Sequence, residues 1–249
     1  MGEDCPQCHG SGFRLETDED GVRSGMRCPC ADPDVEGRLL RAARIPRRYD
    51  HCRLDNFEIH DPSHETARRA AREWVDLWPA VRSGLLLVGG PGTGKTHLAV
   101  AIARELIENK GSRVLFYEQR ELLKALQGTF DAGATQREVQ ILGPVLEAEV
   151  LILDDLGAGR TTAWARDVMH DIIAQRYNEE RPLIMTSNLP IGDEAARTRR
   201  PKNVPLDAAL SLRDRLGDAL MSRLYEMCRI VTVAGRDYRS WILHAKHHY

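Results

Sequence analysis

Gly89-Gly90-Pro91-Gly92-Thr93-Gly94-Lys95-Thr96 matches G-x-x-x-x-G-K-[ST] at every specified position. It follows the apolar run Leu85–Val88 and opens a stretch, Thr96–Asn109, that reads as a helix closed by Lys110-Gly111. Strand, glycine-rich loop and helix in that order are what phosphate binding requires. Glycines let the backbone curl until successive N–H groups face phosphate oxygens, and the helix N-terminus adds partial positive charge. Lys95 is expected to reach the β and γ phosphates of ATP, and the Thr96 hydroxyl to ligate Mg²⁺. A plain glycine-rich turn is the alternative, and agreement at all eight positions weighs against it.

Outward from the loop, the chain alternates helix and strand. Val114–Tyr117, Val150–Leu153, Leu183–Thr186 and Arg229–Val233 read as further strands. Ser63 to Trp78, Glu121–Gln127, Gln136–Glu147, Thr162–Glu179 and Asp207–Leu224 read as helices. Short apolar runs separated by helices predict an α/β fold, a parallel sheet sandwiched by helices. One of these strands ends in Asp154-Asp155. Paired carboxylates at a buried strand end call for a cation to offset their repulsion. Asp154 is therefore expected to hold Mg²⁺, and Asp155 to orient or deprotonate the attacking water. Asn188, just past Leu183–Ser187, could position the same water or serve as a turn residue.

Together, Gly89–His97 with Leu98-Ala99, Leu153-Asp154-Asp155-Leu156-Gly157 and Thr186-Ser187-Asn188 resemble the AAA+ ATPases of the bacterial helicase-loader clade, which includes DnaC- and DnaI-type loaders and IstB-type transposition helpers. The resemblance covers roughly residues 45–240. It implies a P-loop NTPase sheet without the C-terminal helical lid of the wider AAA+ group, with His97 part of the nucleotide loop. It places the segment around Ile45–Tyr49, and Tyr49 itself, beside the adenine. It makes Arg223, in Leu216–Leu224, an arginine finger offered to a neighbouring subunit's ATP, and Arg239, in Asp237-Tyr238-Arg239, a γ-phosphate sensor. The implied function is an assembly-dependent ATPase that loads a replicative DNA helicase onto single-stranded DNA and self-associates through its ATPase domain. A transposase helper is the alternative within the same clade. Asp155 stands where a glutamate is more usual.

The first thirty residues read differently. Cys5-x-x-Cys8 is followed nineteen residues later by Cys28-x-Cys30, close to the spacing of a structural zinc site. Four thiolates saturate a tetrahedral Zn²⁺ ion and leave no open position for chemistry. Between the pairs, Asp20-Gly21 signals a hairpin turn. With almost no apolar core of its own, such a module needs a metal to fold. It resembles the knuckle of DnaJ-type zinc domains, and its acidic residues favour a protein partner over nucleic acid. The organisation expected is a zinc module over 1–31, a short helix and linker over 32–58, and an ATPase domain over 59–249.

Composition bounds the rest. The 249 residues carry 35 Lys+Arg against 37 Asp+Glu, a formal charge of −2, which excludes binding nucleic acid through bulk positive charge. The basic stretch Arg197–Lys202 is the local exception and a candidate contact to DNA phosphates. The acidic start MGEDCPQC does not read as an export signal, and no apolar run approaches the ~20 residues of a membrane span. A soluble cytoplasmic protein with no membrane contact is expected.

Overall fold

The computed structural model describes residues 8, 13–17, 23–28, 35–130, 135–159, 162–192 and 210–243. Two antiparallel strands, β1 (Phe13–Thr17) and β2 (Arg23–Arg27), form the hairpin near the N-terminus, in register from Phe13↔Arg27 to Thr17↔Arg23. Cys8 and Cys28 are buried, whereas Cys5 and Cys30 lie outside the described residues.

The larger unit follows the alternation legible in the sequence. In chain order it runs α1 (Val35–Ala42), a 3₁₀ turn (Arg47–Tyr49), α2 (Pro62–Leu77), β3 (Gly84–Val88), α3 (Lys95–Lys110), β4 (Val114–Glu118), α4 (Gln119–Phe130) and α5 (Thr135–Glu147). Then come β5 (Val150–Asp154), α6 (Ala163–Asn178), β6 (Leu183–Ser187), α7 (Leu212–Leu216), α8 (Asp218–Met227), β7 (Cys228–Thr232) and a π-helical turn at Arg239–Leu243. The five strands are parallel in the order β4-β5-β6-β3-β7.

Side chains on a strand alternate between faces, and here both faces are covered. Leu85, Leu87, Phe116, Ile152 and Ile184 face one apolar core with α1, α2 and α3. Leu86, Val88, Leu115, Leu151, Leu153 and Met185 face another with α4 to α8. That double burial is why the strands read as unbroken apolar runs rather than alternating ones. Leu98 through Ala103 on α3 are buried all round, because this helix lies between the sheet and the helices α1 and α2. The carboxyl ends of all five strands then open on one edge, the place where parallel α/β sheets bind ligands.

Two features depart from the pattern expected. The helix predicted over Asp207–Leu224 is two helices, with Gly217 between them at φ +85°; residues 207–209 lie outside the described set. Ser211 and Asp214 form a capping box that starts α7, and the Gly217 N–H closes it on the Arg213 carbonyl. The stretch before α2 also packs onto the sheet and α3. Ala43, Cys52, Leu54 and Phe57 are core residues, and the Ala43 carbonyl accepts the Phe116 N–H at 2.8 Å.

Arg176 on α6 is fully buried and has no carboxylate partner among the described residues. Its guanidinium donates to the carbonyls of Val145, Ala148 and Pro182 at 2.9–3.0 Å. Those carbonyls sit just before β5 and β6, so one side chain fixes where both strands begin. Burial pulls its pKa down to about 9.

Candidate nucleotide site

The loop Gly89–Gly94 leaves β3 and delivers Lys95 to the first turn of α3. Gly92 and Gly94 have positive φ, at +69° and +96°. A Cβ on Gly94 would lie 2.5 Å from the Phe57 ring, and one on Gly92 would lie 1.7 Å from Asp237 Oδ1. The two glycines are thus demanded by conformation and by close approach from both ends of the chain. The Tyr238 N–H donates to the Gly92 carbonyl at 3.0 Å, so the segment after β7 is tied to the loop.

Lys95 is buried and folds back, its Nζ donating to the Gly90 carbonyl at 2.6 Å. Burial lowers its pKa to about 8, against the opposing pull of Asp154 and Asp155. A triphosphate beside Nζ restores the charged form. Binding measured near pH 8 should therefore take up a substantial fraction of a proton. Titrations in buffers of different ionisation enthalpy should show it, and uptake should shrink toward pH 6, where the free lysine is already charged.

Across the loop, Asp154 closes β5. Its Oδ1 accepts from the Thr96 hydroxyl at 2.8 Å and from the Thr186 hydroxyl at 2.7 Å. Burial raises its carboxyl pKa, partly offset by these two hydroxyls. A buried carboxylate raised by desolvation, touching a threonine hydroxyl, is a hard-oxygen donor set suited to Mg²⁺. The residues fit that ion, with Thr96 and Asp154 the ones that would hold it and offset phosphate charge through it.

Asp155 follows at φ +57°. Its N–H donates to Thr186 Oγ1 at 2.9 Å, and its Oδ1 accepts from Asn188 Nδ2 at 2.6 Å. Thr186 therefore links both aspartates, and Asn188 holds the second one. Thr96, Asp154, Asp155 and Asn188 thus join through Thr186 in one hydrogen-bonded chain, and Lys95 stands next to Thr96 with its Nζ on the loop. A carboxylate fixed in this way, next to a phosphate cradle, can orient a water for attack on a γ-phosphate.

The remaining sequence-derived residues lie around this centre. Arg239 starts the π-turn, is largely exposed, and has its Nε 3.4 Å from Asp237 Oδ1; its charge is felt at Lys95. Tyr49 packs at a tilt on Phe116, ring centres 6.5 Å apart, with the Arg48 guanidinium over its ring. Beside it a cleft of about 330 Å³ is lined by Pro46, Arg48, Phe116, Glu118, Glu121 and Asp154. His97 turns toward the N-terminal segment, where its Nε2 meets the Arg53 carbonyl at 2.9 Å. Arg223 lies against His170 on α6.

His51, Cys52 and His97 bring one potential ligand atom each within 4.8 Å of one another, the only such group among the described residues. The Cys52 thiol is packed in the core and pushed up to about 11 by burial, while His97 spends Nε2 on a carbonyl. These residues are packing partners, not thiolate and imidazole donors set apart for an ion.

Sequence reasoning quoted Thr186 within a motif but gave it no role, and it passed over Phe57 and Gln119. Gln119 is buried and accepts the Gly157 N–H at 2.7 Å, fixing the loop after Asp155. The His60 ring packs beside Tyr238 and Trp241, with ring centres 5.7 and 5.6 Å away. No local pattern marks Phe57, Gln119, His60 or Trp241.

The model of the IstB-like ATP binding protein family matches residues 35–244. The chain belongs to that family. As an IstB-like protein it is 27% identical over 151 residues to the replicative helicase loader DnaC of Escherichia coli strain K12, covering 61% of each chain. The alignment thus spans about three fifths of the length of these curated loaders. Among solved structures, that of the DnaC helicase loader matches with TM-score 0.63 and 32% identity over 76% of this chain and 99% of that one. The DnaI structure matches with TM-score 0.60 and 25% identity over 79% and 95%. The family is described as ATP binding. Among the described residues, no helix is long and apolar enough to cross a membrane.

Proposed function

We propose that this IstB-like protein hydrolyses ATP between assembled subunits and uses it to deliver a replicative DNA helicase to single-stranded DNA. The observation that carries the reading is the chain Thr96–Asp154–Thr186–Asp155–Asn188 beside Lys95. It unites a phosphate cradle, a Mg²⁺ donor set and a water-orienting pair. The similarity to the DnaC helicase loader supports the choice of partner.

In this reading Lys95 binds the β and γ phosphates, and Asp155 orients water with Asn188 beside it. Arg239 senses the γ-phosphate in its own subunit, and Arg223 reaches the ATP of the next. Guanidinium groups offered in trans make turnover depend on assembly. Tyr49 and the segment before it border the base. The N-terminal hairpin, with Cys5, Cys8, Cys28 and Cys30 around Zn²⁺, docks the helicase. The register, which sets Cys28 directly beyond the strand end that pairs with Phe13, and the burial of both Cys8 and Cys28 support this. The division into 1–31, 32–58 and 59–249, with the described part of 32–58 packed onto the ATPase domain, and a cytoplasmic location belong to the same proposal. The basic stretch Arg197–Lys202, read as a DNA contact, lies outside the described residues.

Co-sedimentation of the full chain with a ring helicase of its host, with ATP and Mg²⁺, tests the reading. A stable complex carrying about one zinc per chain is expected. The double variant Cys8→Ser, Cys28→Ser should lose the zinc and the complex while keeping ATP binding. The IstB-like family match favours a second reading, an ATPase helper of a transposase. Capture of a transposase with no binding to the helicase would select it.

A further inference from the structure

Arg223 Nη1 sits within hydrogen-bonding distance of His170 Nε2, across the contact between α8 and α6. A guanidinium can only donate. The imidazole must therefore offer a lone pair at Nε2, which leaves a neutral ring with its proton on Nδ1. Asp171 lies on that side, its Oδ1 3.7 Å from Nδ1, and an acid there favours that tautomer. Further along the same two helices, the Tyr177 hydroxyl donates to Glu226 Oε1 at 2.7 Å and braces them together. Among the described residues no carboxylate pairs with Arg223. The choice of acceptor has a consequence: a carboxylate would neutralise the guanidinium and hold it back from a phosphate, whereas a neutral imidazole aims it and leaves its positive charge undiminished.

We infer that His170 is a positioning residue for Arg223, a neutral acceptor that presents the guanidinium at the subunit edge for the neighbouring nucleotide. The inference rests on the reading of Arg223 as acting in trans. A finger held in advance spends less of its interaction on being ordered, and misplacement by even about 1 Å can cost up to roughly a hundredfold in rate.

The test compares His170→Leu, which removes the acceptor, with His170→Gln, whose amide oxygen can still accept from Arg223, and with Arg223→Ala as reference. ATPase rates are taken on the full chain at saturating ATP, alongside nucleotide affinity and Tm. His170→Leu should lower kcat about tenfold or more with affinity and Tm unchanged. His170→Gln should stay within about threefold of wild type. Wild-type kcat in His170→Leu beside a strongly impaired Arg223→Ala overturns the role of His170 alone. A parallel fall in Tm or affinity makes His170 merely structural and overturns it too. Unchanged turnover in Arg223→Ala overturns the finger reading itself. Independent of turnover, a long-range ¹H–¹⁵N spectrum, with His170 assigned by its loss in His170→Gln, should show the neutral Nδ1–H tautomer. The Nε2–H tautomer rules the contact out.

Discussion

Replacing Lys95 with alanine is expected to abolish detectable ATP binding while leaving the protein folded. The ammonium supplies charge-assisted contacts to two phosphates, each contributing about 1.5–3 kcal/mol. Losing both weakens affinity by roughly two orders of magnitude or more. The fold should tolerate the change. Burial lowers the Lys95 pKa to about 8, so its charged form is disfavoured in the native state relative to the unfolded chain, and near neutral pH that charge costs stability. Removing it relieves the cost, and Tm should fall little or not at all. Fluorescent-nucleotide titration together with a thermal melt checks both parts. Tight binding by the alanine variant would place the phosphates elsewhere.

Arg223→Ala should do the opposite, sparing ATP affinity while lowering turnover about a thousandfold, the lower range for an arginine finger supplied in trans. Its own chain holds Arg223 against α6, outside the constellation formed by Lys95, Asp154 and Asp155, so its removal leaves the local phosphate cradle intact. Mixing the two inactive variants makes the prediction sharper. A Lys95→Ala subunit still offers Arg223 to a neighbour, and an Arg223→Ala subunit still binds ATP. Equal mixtures should recover part of the lost activity. Mixtures as inactive as their components, with assembly verified, would contradict hydrolysis across an interface.

The parts of this molecule legible in its sequence are those whose physics is local. A phosphate loop needs glycines at fixed spacing between strand and helix, so Gly89–Thr96 announced itself. Asp154 and Asp155 did so by closing an apolar strand with two like charges. Thr186 stood out only as part of a motif, because one hydroxyl at the end of a buried strand gives no sign of what it bonds. Only the sheet pairing β5 to β6 brings it to both aspartates. The break at Gly217 was masked for a related reason. Leu212, Leu216, Leu220 and Leu224 recur every four residues straight across it, and all four are buried. The apolar period is continuous although the helix is not. Phe57 and Asp237 press on the loop from positions far apart in sequence, and no window of residues could have joined them.

A Mg²⁺-bound triphosphate is expected to rest on the amino end of α3, between Lys95, Thr96 and Asp154. Calorimetric titration of ATP into the folded full chain tests it most directly, done at two temperatures and repeated with EDTA. One saturable site per chain is predicted, weakened by removing Mg²⁺ and lost in Lys95→Ala. A folded protein that gives no heat with ATP or ADP at either temperature has no nucleotide site at α3.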